Sequence, residues 1–147
     1  MSWRLAGLIP VMRTSGPDVS RSAAQRAAGE AVWVPTALLP RFGVTWEART
    51  DTSIVAYYDV DGHDVVLRLT IDDGGMVESV AMPRWGDPDE TGVFGLHSFG
   101  GEFTEHSTFE GVTVPSAGAL GWHYGTDRWP DGEFFRFRID NLRPLHH

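Results

Sequence analysis

The chain has 147 residues, a net charge of −8, 41% hydrophobic and 22% charged residues, and no cysteine. That length suits a single domain over residues 1–147, able to bury roughly 70% of its unfolded surface, and the missing thiols exclude disulfides, thiol nucleophiles and thiolate metal sites. All 12 basic residues are arginines, so no Schiff-base or P-loop lysine exists, and the acidic balance argues against nucleic acid or an anionic membrane as main partner.

The first apolar run, Leu5 to Met12, is too short to span a membrane and is broken by Pro10. Arg13 closes it without a clean cleavage site, so no signal peptide is read and a cytoplasmic location is expected. Residues 18–39 predict the helix. Ser15, Asp18 and Ser20 offer N-cap oxygens, and Pro17 suits the approach. The run Ala23, Ala24, Ala27, Ala28 and Ala31 favours helix and close packing on a sheet. Pro35 should kink or end it, leaving Thr36 to Leu39 as a further turn.

From Val44 to Leu142 the period is two, predicting antiparallel strands. Val44, Trp46 and Ala48 alternate with polar residues. Tyr57 and Tyr58 put aromatic bulk on both faces of the next strand. His63 to Ile71 is the clearest strand, with Val65, Leu67, Leu69 and Ile71 on one face. Asp61-Gly62 and Asp73-Gly74 bound it as hairpin turns. Met76 to Trp85 follows, with Pro83 marking an edge or bulge. In Leu96 to Glu110, Phe99, Phe103 and Phe109 oppose Glu102, Thr104, His106, Thr108 and Glu110, and Gly100-Gly101 should bend the strand. Strands around Val112–Val114, Ala119–Tyr124 and Phe134–Leu142 complete the pattern, with Pro130-Asp131-Gly132 as a turn. The economical fold is α+β: a curved, half-barrel-like antiparallel sheet of about seven strands with one N-terminal helix packed on it.

Most chemical motifs read as ordinary structure. Asp59-x-Asp61-Gly62-x-Asp64 lacks the distal bidentate glutamate of a calcium loop and reads as a hairpin. Gly86-Asp-Pro-Asp-Glu90 reads as a solvated acidic loop. His63, His97, His106 and His123 show no metal-ligand spacing. No metal or cofactor is expected, and His146 and His147 are given no ligand role. His106 shares an ideal strand face with Glu102, Thr104 and Glu110, while His123 faces away from Trp122 and Tyr124. No G-x-S-x-G elbow or phosphate-cradling loop is present.

The arginines and aromatics carry more. Arg84 shares an ideal strand face with Met76, Val80 and Met82, and Arg136 and Arg138 alternate with Phe135, Phe137 and Ile139. On an inner face such arginines hold a carboxylate bidentately. Alternatively they pair internally with Glu30, which stands in an apolar part of the helix.

Glu30-x-x-Trp33-x-Pro35, the strand-end Arg84, Gly111-x-x-x-Pro115, Trp122 and Phe134-Phe135-Arg136, in that order, resemble an uncharacterised bacterial family of β-rich proteins. The resemblance covers nearly the whole chain. It implies a fold like the half-barrels of lipoprotein carriers, and no particular activity. It also implies a β-rich segment upstream that this chain lacks, leaving sheet edges for a second copy to cover in a possible homodimer, or marking the C-terminal part of a longer architecture.

Together these residues favour a module binding a small apolar or amphipathic molecule in a curved-sheet cavity, through Glu30, Trp33, Arg84, Trp122 and Arg136. A cofactor-independent cyclase, isomerase or hydrolase would use the same cavity, with Glu30 or His106 moving protons. A structural or oligomerisation module, with the aromatics as plain core, is the third reading.

Overall fold

A computed structural model describes residues 16–143. The Leu5–Met12 run, the Ser15 cap, and His146 and His147 lie outside the described residues. Helix α1 (Pro17–Gly29) is followed by three 3-10 turns over Glu30–Trp33, Pro35–Leu38 and Pro40–Phe42. The α-helix is therefore shorter than the alanine pattern predicts. Gly29 weakens it, β-branched Val32 and Val34 follow, and Pro35 and Pro40 remove amide donors. Its N-cap is Gly16, with no side-chain cap bond, so neither Asp18 nor Ser20 serves as the cap.

Seven strands then run in simple meander order, each antiparallel to the next. They are β1 (Thr45–Thr50), β2 (Ser53–Val60), β3 (His63–Ile71), β4 (Val77–Gly86), β5 (Gly95–Phe109), β6 (Val112–Trp122) and β7 (Glu133–Arg138). The sheet stays open, with β1 and β7 at its edges. The expected α+β sheet with its N-terminal helix is thus the fold observed. Asp61 and Gly62 both adopt positive φ between β2 and β3, the backbone a two-residue hairpin of matching twist requires. The two short segments predicted around Val114 and Ala119 form one strand, β6. Register shifts between Phe103 and His106 absorb Pro115 within it.

One face of the sheet carries the core. Val65, Leu67 and Leu69 of β3 meet Ala56 of β2 and Val80 and Met82 of β4. Leu67 is fully buried, a burial worth about 1.5–3 kcal/mol. Ala24 and Ala28 of α1 press on this face, one turn apart, while the Tyr58 hydroxyl donates to the Ala28 carbonyl. The 3-10 turns extend the cover. Trp33 Nε1 donates to the Pro115 carbonyl at 3.0 Å, and Trp46 Nε1 to the Leu38 carbonyl at 3.0 Å.

Strands β3 and β4 pair only over Arg68–Ile71 and Val77–Ala81. Beyond Ala81 they part, and Met82–Gly86 pair with β5 alone. Pro83, which has no amide to give, sits in this one-sided stretch, so the expected local edge is present inside the sheet. Gln25, only 3% exposed, closes the gap from above: the Trp85 backbone N–H donates to its side-chain oxygen. Asp18 accepts from Trp85 Nε1 at 2.8 Å. A buried amide without a partner costs about 1–3 kcal/mol, so Gln25→Leu should lower unfolding free energy by about that amount in urea titration. An unchanged midpoint would show that water replaces the glutamine oxygen.

Candidate functional site

Arg84 is the one buried arginine among the described residues, 9% exposed. Its guanidinium carbon lies 4.5 Å from the Phe99 ring centroid and 4.8 Å from that of Trp122. Nη2 reaches Ser22 Oγ at 3.4 Å, and Nε has no hydrogen-bond partner. Burial, with Arg26 adding repulsion and Glu30 opposing it more weakly, pushes the group down to about 10. The Trp122 indole lies where a side chain at residue 86 would stand, so Gly86 makes room for it. Arg84 and Trp122 are therefore brought together as a cation–π stack.

The other expected site residues are distributed elsewhere. Glu30 accepts from Arg26 at 3.2 Å one turn back, with both side chains half exposed, and makes no direct pair with Arg84. Trp33 packs edge-on to Phe137 at 5.0 Å. Arg136 is 80% exposed and bonds Glu133, because the alternation of β7 turns Phe135 and Phe137 to the core and the arginines away. His106 departs from its ideal face, since the irregular register before it breaks the alternation. Its Nε2 instead lies 2.8 Å from the Val77 carbonyl.

At the end of β6, His123 takes a φ of 61°, a backbone uncommon outside glycine. This breaks the expected alternation. Trp122 stays with the core, His123 packs edge-on to His97 at 6.2 Å, and Tyr124 crosses to the opposite face. There its ring covers Gly100, where a Cβ would strike both the Val80 carbonyl and that ring. Asp89, from the loop after β4, joins Arg128 of the β6–β7 connection through two hydrogen bonds and lies 3.8 Å from His123 Nε2.

The concavities lie on the face away from α1. Where β3 and β4 part, Val66, Arg68, Ala81, Pro83, Leu96 and Ser98 line an open depression of about 260 Å³. A second, of about 400 Å³, carries on from Arg68 past Thr70 and Ser79 to Tyr124 and Thr126. Arg68 lines both. It contacts no carboxylate among the described residues, whereas Arg26, Arg49, Arg128, Arg136 and Arg138 each do. Arg68 is not singled out by the sequence pattern; by alternation it falls on the face of β3 opposite Leu67 and Leu69. Its only signal was a cation directly between apolar neighbours, Leu67 and Leu69.

The chain belongs to DUF6544, a family of unknown function. The family model matches residues 1–135, in agreement with the β-rich family of unknown function that the motif order resembles. No curated protein and no solved structure matches the chain significantly. Among the described residues no helix is long and apolar enough to cross a membrane, and no group of three or more acidic or histidine side chains is placed to hold a metal ion.

Two expectations follow for this DUF6544 chain. Arg84→Met keeps a side chain of similar length between Phe99 and Trp122 while removing an unneutralised buried charge. Its unfolding free energy should stay within about 1 kcal/mol of the parent or rise; a loss above about 2 kcal/mol would make the guanidinium itself a net stabiliser. The Arg128 hydrogen bond holds the Asp89 carboxyl below its ordinary 3.8. A depressed carboxyl stabilises the fold above that ordinary value and loses the contribution as pH falls through the folded-state one. Asp89→Asn should therefore lose less stability than the parent between neutral and strongly acid solution. Equal losses would show that the Asp89–Arg128 contact adds nothing.

Proposed function

We propose that the chain binds a small amphipathic molecule carrying an anionic group, in the groove where β3 and β4 part. The observation that carries this reading is Arg68: a cation lining both depressions, without an acid partner among the described residues, in a chain of net charge −8. Five other arginines contact carboxylates, so an unpaired guanidinium here is free to take an external carboxylate in its bidentate fork. Val66, Pro83 and Leu96 supply apolar wall, and Leu96 is 54% exposed. Of the two, the depression of about 400 Å³ falls within the roughly 300–1,000 Å³ usual for small-molecule sites and that of about 260 Å³ just below it.

Of the residues singled out in the sequence, Arg84 and Trp122 support this groove from the core side. Arg84 follows Met82 and Pro83, which line it, and adds a second positive charge in contact with no carboxylate among the described residues. Trp33 secures the helical cover to β6. Glu30 and Arg136 are engaged in local ion pairs on other surfaces. Binding is favoured over catalysis because Glu30 and His106 do not line either depression.

Calorimetric titration with octanoate tests the reading. Arg68→Gln should weaken binding about tenfold or more, a change of about 1.4 kcal/mol, with the urea midpoint unchanged. Undiminished binding by the variant would remove Arg68, and with it the proposed site.

A further inference from the structure

We infer, building on binding at the Arg68 groove, that its ligand is an acid with an apolar tail on one side of the anion and a neutral hydrogen-bonding arm on the other, the chemistry of an N-acyl hydroxy amino acid. The groove is polarised along its length. On one side of Arg68 the distinct walls are Val66, Pro83 and Leu96; on the other they are Thr70, Ser79, Tyr124 and Thr126; Ala81 and Ser98 lie beside Arg68 and line both. Arg68 stands between them, so the anion it holds is placed within the ligand and not at the far end of the groove. A simple fatty acid satisfies the tail side and the cation, and leaves the hydroxyl side to water.

The charge at the hydroxyl end decides what the arm can be. The Tyr124 hydroxyl donates to Glu102 Oε1 at 3.4 Å and lies beside the Ser79 hydroxyl. Burial foremost pushes the Tyr124 hydroxyl upward, with Ser79 opposing and Glu102 reinforcing the shift, so the phenol remains a neutral donor. A second anion beside the Glu102 carboxylate would be repelled. A hydroxyl or amide can instead exchange hydrogen bonds with Ser79 and Tyr124, both half-buried, and an analogue that lacks the group forgoes those bonds. Gly100 is what admits the Tyr124 ring to this position.

Calorimetric titration of the full chain with octanoate and with N-octanoylserine tests the inference. The second should bind about tenfold more tightly, the effect of about 1.4 kcal/mol of added hydrogen bonding. Ser79→Ala with Tyr124→Phe should erase that advantage, bringing the affinities for the two acids together; the phenylalanine keeps the ring over Gly100, and urea unfolding checks the fold. Equal affinities for the two acids, or an advantage that survives in the double variant, would overturn the inference while leaving the proposed function standing. Failure of both acids to bind the parent would overturn both.

Discussion

The parting of β3 and β4 sets most of what is distinctive in this molecule. A strand that loses a neighbour within a sheet presents amide and carbonyl groups that must find other partners. Here one amide is removed by Pro83, and another, that of Trp85, is satisfied by Gln25. The helix is consequently more than an apolar lid. It supplies a hydrogen-bonding group to the backbone of the sheet, which fixes its position along β4 as well as its distance from it. The same parting opens the opposite face into the groove that holds Arg68.

The two faces solve different problems with the same residue types. On the core face Arg84 lies between Phe99 and Trp122, shielded from water and in contact with no carboxylate among the described residues. On the other face Arg68 reaches solvent, also without a described acid partner. Buried and open cations above and below one gap create a positive locus in an otherwise acidic protein. Glycine makes the geometry possible at two points: Gly86 admits the Trp122 indole beneath Arg84, and Gly100 admits the Tyr124 ring that closes the far end of the groove.

Alternation made much of the fold legible. Val65, Leu67 and Leu69 share the core face that their spacing implies, and Asp61-Gly62 turns where its conformational freedom requires. Pro83 was readable as a local edge, because a missing donor has only a few tolerable places in a sheet. Inner and outer faces of β7 were not readable, since Phe135 and Arg136 alternate equally well in either orientation. His106 was misplaced by irregular register, and Tyr124 by one residue at positive φ, features that period-two reasoning does not carry. The groove itself was hidden because it arises from two strands separating. That separation leaves no local mark in the sequence of β3, so Arg68 looks like any polar residue on a strand.

The meander gives the molecule an uneven folding problem. Every strand pairs with its sequence neighbour, so the hairpins can close short loops at small entropic cost. The helical segment alone must bridge long stretches of chain: Gln25 to Trp85 spans 60 residues and Trp33 to Pro115 spans 82. Those contacts reward the chain only after β4 and β6 exist to receive them. Although the helix precedes every described strand in sequence, it can make these contacts only once the strands it reaches have formed. Until then the gap beside β4 is an unsealed seam, the place where a nascent chain is most open to pairing with the wrong strand.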